Sequence, residues 1–331
     1  MIQQNNKITI GLCMVIYNEE NVILRCLNSL LPLIDYFIII DTGSSDNGKQ
    51  VIKDFFDEKG IKGEIHDAPN FDMAKNLNLA FSKLKGKADF AFYIDADNQL
   101  SIPPDFNITD FKEKLYSYDS GMIDVTSGDI KYGKRLFYNL NDDWIWKGII
   151  HEVSICNKAY TTLNTGLDMV IYNDGNSWTS QTVKEKYLRH ARMLLGDIEK
   201  NGIDPRSVFY LAQSYKDAGE YEKAIQWYQQ RIMINGGFYE ERYWAQFMIG
   251  QLKWELNYPL WEVADEFLRC AEFDDLRAEH LFNLKLLYQE NIRPKSALKI
   301  EKLLSEYYGK NPYPQRVLFI NPKVYLSPSA K

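Results

Sequence analysis

Four short apolar runs in the first hundred residues, ITIGLCMVI, FIIID, GEIHD and ADFAFYID, are separated by stretches of helical period. This alternation constrains the chain more than any other feature. Runs of that length read as buried strands, whereas the stretches between them place apolar residues at i, i+3, i+4 and i+7. The first such stretch carries Ile23, Cys26, Leu27 and Leu30, with Asn18 as its capping residue. The second opens at Asp46 in the GSSDNG turn and carries Val51, Ile52, Phe55 and Phe56; the third starts at Asp72 and lines up Met73, Leu77, Ala80, Phe81 and Leu84. A β-α-β-α order predicts a mostly parallel, Rossmann-like α/β sheet covered by helices.

Parallel sheets bind ligands beyond the carboxyl ends of their strands. Three polar clusters fall there: Tyr17-Asn18-Glu19-Glu20, Asp41-Thr42-Gly43-Ser44 and Asp95-Ala96-Asp97. If the fourth strand continues through YIDADNQ, Asp95 and Asp97 share one face of it. Paired carboxylates suit a hard divalent cation that shares its shell with a substrate phosphate. The ordinary structural alternative is a turn cap and a solvated aspartate.

Residues 101–180 suggest further strands at GMIDVTSGDI, KRLFYN and WIWKGIIHEV, an irregular half-sheet completing the site. From about residue 181 the pattern is helical. VFYLAQSYKDAGEYEKAIQWYQQ places Ala212, Tyr215, Gly219, Tyr221, Ala224 and Tyr228 at the small and aromatic positions of a tetratricopeptide helix pair, and two degenerate copies follow. The expected organisation is an α/β domain over 1–180 and an all-α, tetratricopeptide-like (TPR-like) domain over 181–331 with a Pro-interrupted C-terminal extension. A concave helical array can bind a peptide, hold an extended acceptor or form a homodimer.

Composition narrows the function classes. A net charge of −6 argues against nucleic acid as a partner, since that requires clustered Lys and Arg. Four scattered cysteines, Cys13, Cys26, Cys156 and Cys270, have neither zinc-ligand spacing nor a disulfide framework and fit a reducing, cytoplasmic setting. The first twenty residues read as a strand, with no signal peptide or membrane span.

CMVIYNEE, IIIDTGSSDNG, FDMAKNLNLAF and YIDADN, in that order, resemble the successive signatures of family 2 glycosyltransferases with the GT-A fold. The type resembled is the bacterial and viral one with a tetratricopeptide-like C-terminal region. KYLRHARMLL and the repeat segment extend the likeness over most of the chain. The resemblance implies transfer of a sugar from a nucleoside diphosphate donor, UDP-linked, onto a glycan, lipid-linked or protein acceptor, assisted by Mn2+ or Mg2+ and with inversion. It implies that Tyr17, Glu19 and Asp41 surround the nucleoside, that Asp72 and Lys75 lie near the base or diphosphate, and that Asp95 sits near the ribose and Asp97 on the metal.

WKGIIHEV is similar to the family's acceptor-side segment, which makes Glu152 the expected base and His151 a positioning group or metal neighbour, with Asp142 and Asp143 in reserve. Strand alternation would aim Glu152 and His151 oppositely. Many relatives complete the metal shell with a later histidine, where this chain reads IYNDGNSW: either Asp174 supplies an oxygen ligand there, or His151 substitutes, or the metal is held more weakly. Arg135 could grip the diphosphate with its planar fork or form a surface pair. Trp144, Trp146 and Trp178 suit either sugar stacking or a core.

Two other function classes remain open on sequence grounds. A metal-dependent sugar-phosphate phosphohydrolase or nucleotidyltransferase would use the same D-x-D pair, although aspartyl phosphohydrolases place theirs after the first strand. A non-catalytic binding protein would use the helical repeats alone.

Overall fold

The structure is a computed structural model and describes residues 8–69, 72–127, 130–171, 182–310 and 318–326. The chain separates into two compact units, residues 1–180 and 181–331.

The first unit is built on an eight-stranded sheet in the order β3-β2-β1-β4-β7-β6-β10-β5. Strands β1 (Ile10–Ile16), β2 (Tyr36–Asp41), β3 (Lys62–Asp67) and β4 (Phe90–Tyr93) run parallel. β1 is an interior strand and is buried along its whole length, which is why it reads as a continuous apolar run rather than an alternating one. Helices α1 (Ile23–Leu30), α2 (Gly48–Lys59) and α3 (Met73–Leu84) make the crossovers and bury the stripes their period predicts, except that Val51 and Met73 are only partly buried. α3 packs so closely on β1 that a Cβ on Gly11 would lie 2.4 Å from Leu84 Cδ2.

The other half is mixed. β5 (Asn98–Ser101) and α4 (Ile108–Leu115) lead to β6 (Ser120–Ser127), β7 (Ile130–Asn139) and β10 (Thr162–Ile171). β7 runs antiparallel to β4 and β6, while β10 runs parallel to β6 and antiparallel to β5. β5 and β10 are absent from the strand reading; β5 has only four residues, and β10 alternates apolar Leu163, Leu167 and Met169 with polar residues around Gly166 (φ 70°), whose turn-like signal breaks the run.

Three local expectations are corrected. β4 stops at Tyr93, and Asp95–Asp97 form a turn closed by Asn98 N–H donating to the Asp95 carbonyl at 3.1 Å. The two aspartates therefore do not share a strand face. WIWKGIIHEV is a hairpin of β8 (Trp144–Lys147) and β9 (Val153–Cys156), because Gly148 (φ 96°) and His151 (φ 55°) turn the chain where a strand would need extended backbone. Asn18 (φ 55°) does not cap α1. Its Oδ1 instead accepts from the backbone N–H of Ser45 at 2.7 Å and Asp46 at 3.3 Å. Asp72 does cap α3, accepting from the Lys75 N–H at 3.0 Å.

Trp144 and Trp146 belong to the core. Trp146 packs edge-on against Phe81, Tyr93 and Tyr138.

The second unit is all-helical: α5 (Val183–Asn201), α6 (Pro205–Asp217), α7 (Tyr221–Met233), α8 (Glu240–Glu255), α9 (Leu260–Arg269), α10 (Glu279–Glu290) and α11 (Pro294–Ser305). α6–α7, α8–α9 and α10–α11 are the three expected helix pairs. Thr182 and Glu185 form a capping box on α5. Ala212, Ala224 and Tyr228 are buried at the α6–α7 contact, and Gly219 (φ 77°) makes the tight turn between those helices. No helix among the described residues is long and apolar enough to cross a membrane.

Candidate functional site

With the order β3-β2-β1-β4, β1 is the strand from which the sheet grows in both directions, so a crevice opens beyond the ends of β1 and β4. A cavity of about 350 Å³ occupies it, lined among others by Tyr17, Glu19, Thr42, Asn76, Asp95 and Asp97. Two of the three polar clusters thus bring acidic side chains to one place.

The third cluster is used differently. Asp41 is fully buried; it accepts from the Ser44 N–H at 3.0 Å and hydroxyl at 2.5 Å and pairs with Lys49 at 3.0 Å. Burial works against its charge, but the Ser44 donors and Lys49 outweigh it and hold the carboxyl below its usual range. Asp46 Oδ2 accepts from the Glu20 N–H at 2.9 Å, and Glu20 Oε2 accepts from the Asn47 N–H at 3.0 Å. Together with Asn18, these contacts stitch the loop after β1 to the loop after β2. Asp41 therefore braces the wall that Thr42 presents to the cavity.

Glu19 is the electrostatically tense member. Its Oε2 is buried and accepts no hydrogen bond from the described residues, and its carboxyl is pushed up to about 7, by burial first and then by Asp97, Asp46 and Asp95. Such a cluster, with an unsatisfied oxygen, suits a cation or a hydrogen-bond donor arriving with the substrate. Among the described residues no three His, Cys, Asp or Glu side chains form a ready-made metal shell. The donor set matches instead a hard cation held by one or two carboxylates and completed by substrate phosphate oxygens. Asp174, with Asn173 and Trp178, lies outside the described residues.

The Asp95–Asn98 turn is pinned from α1. Arg25 Nη2 donates to the Asp97 carbonyl at 2.9 Å, the Cys26 thiol reaches the Asp95 carbonyl at 3.6 Å, and Ser29 Oγ accepts from the Leu100 N–H at 3.1 Å. Positions 25 and 29 are one helical turn apart, so both face the same stretch of chain. No sequence motif marks Arg25; a cation on the strand-facing edge of α1 is the signal that would have found it.

Glu152 lies in the β8–β9 turn, half-buried, where its charge acts on the buried Tyr93 hydroxyl together with Asp95. It is not among the residues that line the cavity. His151 is exposed. Lys75 forms a 2.7 Å ion pair with Asp72 at the solvent-exposed start of α3, and neither residue lines the cavity.

Arg135 donates to the Tyr160 hydroxyl at 3.1 Å, and its guanidinium lies 4.5 Å from that ring and 5.3 Å from the Trp144 ring. Its neighbour Lys134, on the opposite face of β7, places its ammonium 3.9 Å from Asp95 Oδ2. Sequence reasoning missed Lys134 because strand phase decides which of two adjacent cations faces the site.

The family model for glycosyl transferase family 2 matches residues 12–188, just over half the chain. A curated relative, the SPbeta prophage-derived glycosyltransferase SunS of Bacillus subtilis (strain 168), is 23% identical over 283 residues, covering 82% of this chain. The chain spans 66% of that relative's length. Among solved structures, S. aureus TarS residues 1–349 in complex with UDP-GlcNAc is 12% identical with a TM-score of 0.37, covering 92% of this chain and 93% of that one. YrrB, a TPR protein with an unusual peptide-binding site, is 19% identical with a TM-score of 0.31 over 36% of this chain and 59% of its own. The family match spans the parallel strands, the acidic crevice and the β8–β9 turn, and the chain belongs to glycosyl transferase family 2.

Proposed function

We propose that the protein transfers a sugar from a UDP-linked donor to a glycan, lipid-linked or protein acceptor. The observation that carries this reading is the convergence of Glu19, Asp95 and Asp97 on the cavity at the switch point between β1 and β4, in a chain of this family. Tyr17 and Glu19 would border the nucleoside and Asp95 the ribose. Asp97 would hold Mn2+ or Mg2+, with Asp174 as a further oxygen ligand; the bound ion would neutralise charge developing on the diphosphate leaving group.

Glu152 is the base in this scheme. It takes the proton of the acceptor hydroxyl as that oxygen attacks the anomeric carbon from the face opposite the departing diphosphate, which gives inversion. Its half-buried position in the β8–β9 turn, close enough for its charge to raise the Tyr93 hydroxyl, supports the role. His151 would position the acceptor, and Lys75 and Arg135 remain outlying candidates for its or the donor's charged groups. The helical unit offers a surface for an extended acceptor or for a second copy of the chain.

The test is nucleotide-sugar turnover with Mn2+ for the parent, Asp97→Asn and Glu152→Gln. Both variants should fold as the parent does by circular dichroism and lose at least about a hundredfold in turnover. Parent-like turnover in both would remove the assignment, and release of inorganic phosphate from sugar phosphates would favour the hydrolase class.

A further inference from the structure

Asp95 is held by a residue that no motif picks out. The Tyr93 hydroxyl donates to Asp95 Oδ1 at 2.5 Å, from a side chain that is 5% exposed. The Tyr93 ring meets Trp146 edge-on at 5.1 Å and carries the Lys134 ammonium 5.3 Å from its centre, so it is packed from two sides. The second oxygen, Oδ2, faces the Asn98 amide at 3.4 Å and Lys134 at 3.9 Å. Asp95 itself lines the cavity, and its backbone carbonyl is the acceptor that closes the turn.

A carboxylate on a turn ordinarily samples several rotamers, and ordering it costs part of the binding free energy when a ligand arrives. Here the strong donor sits on one oxygen, which fixes the carboxylate plane, and the weaker contacts sit on the other. An incoming hydroxyl can replace a 3.4 Å or 3.9 Å contact far more cheaply than a 2.5 Å one. Burial and the charges of Asp95 and Glu152 keep the proton on Tyr93, so the hydroxyl remains a donor throughout.

We propose that Tyr93 is a positioning residue which locks the Asp95 carboxylate, before the donor binds, with Oδ2 presented to a hydroxyl of the nucleoside. This rests on the nucleotide-sugar reading above. Tyr93 acts through Asp95 and is not among the residues that line the cavity.

A double-mutant cycle tests it. UDP with Mn2+ is titrated by calorimetry into the parent, Tyr93→Phe, Asp95→Asn and the double variant, and all four are melted without nucleotide. Phenylalanine keeps the ring against Trp146 and Lys134 and removes only the hydroxyl. The expected result is about tenfold weaker UDP binding in Tyr93→Phe, as for loss of a hydrogen bond to a charged group. In the Asp95→Asn background the same change should cost less than twofold, because the group it orients is already altered. An equal loss in both backgrounds, or no loss in either, overturns the proposal. If the parent binds no nucleotide, the nucleotide-sugar reading fails and takes the positioning role with it. Non-additive melting points would then still show Tyr93 and Asp95 to be a coupled structural pair, which separates the two failures.

Discussion

Replacing Glu19 by glutamine should make the protein more stable and less able to bind its donor. Glu19 titrates near 7 in the folded chain against an ordinary value of 4.5. Between those values the folded state holds a proton that the unfolded state has released. The stabilisation is therefore complete below about pH 4.5 and is lost as pH rises through 7. At 1.36 kcal/mol per pH unit the full effect would be about 3 kcal/mol, and solvent screening of a half-buried side chain lowers it to about 1–2 kcal/mol.

Glu19→Gln removes the charge while keeping the shape. Without metal or nucleotide, its melting temperature should exceed the parent's by a few degrees at pH 8 and equal it at pH 4.5. Calorimetric scans at the two pH values read this directly. Under the proposed function, manganese-dependent UDP binding should fall at least about tenfold in the same variant, because the crowded carboxylates that strain the free protein would be the ones to receive the cation. Identical melting temperatures for parent and variant at pH 8 would show that Glu19 is not held among uncompensated carboxylates, and the account of the site would fail.

Arg25→Met should leave the fold intact and weaken manganese-dependent UDP binding about three- to tenfold by releasing the Asp97 carbonyl, as read by titration calorimetry. Arg277→Met should destabilise the helical unit by about 3–5 kcal/mol, because the fully buried guanidinium lies within 3.4 Å of Glu240 and 3.2 Å of Glu279 and also donates to the Leu318 carbonyl. Urea unfolding followed by circular dichroism reads that loss. His280 is buried beside Tyr243, and burial lowers its titration to about 4 from an ordinary 6.5. The unfolded chain binds its proton first, so His280 should cost the fold up to about 3 kcal/mol as pH falls from 6.5 towards 4. His280→Asn should flatten that part of the profile, which denaturation midpoints across the range would detect.

The alternating half of the sheet, the helix faces and the repeat pairs are written in local periodicity. A buried parallel strand such as β1 needs a continuous apolar run, and a helix packed on a sheet needs its stripe; both requirements act on residues close in sequence. Parallel topology then carries the ends of β1 and β4 to one crevice, so Tyr17, Glu19, Asp95 and Asp97 could be assigned to it before any coordinates. Other features depend on contacts between distant segments. That the Asp41 carboxylate meets the Ser44 loop and Lys49 is decided by the return of those segments, which no local pattern records. Whether Lys134 or Arg135 faces Asp95 depends on the phase of β7, which its pairing with β4 and β6 sets. Tyr93 reads as the last apolar residue of a strand until Trp146 and Lys134, from two other strands, lock its hydroxyl onto Asp95. Periodicity records which side of an element is buried, whereas the partner of each polar group is chosen by whatever the rest of the chain brings within hydrogen-bonding distance.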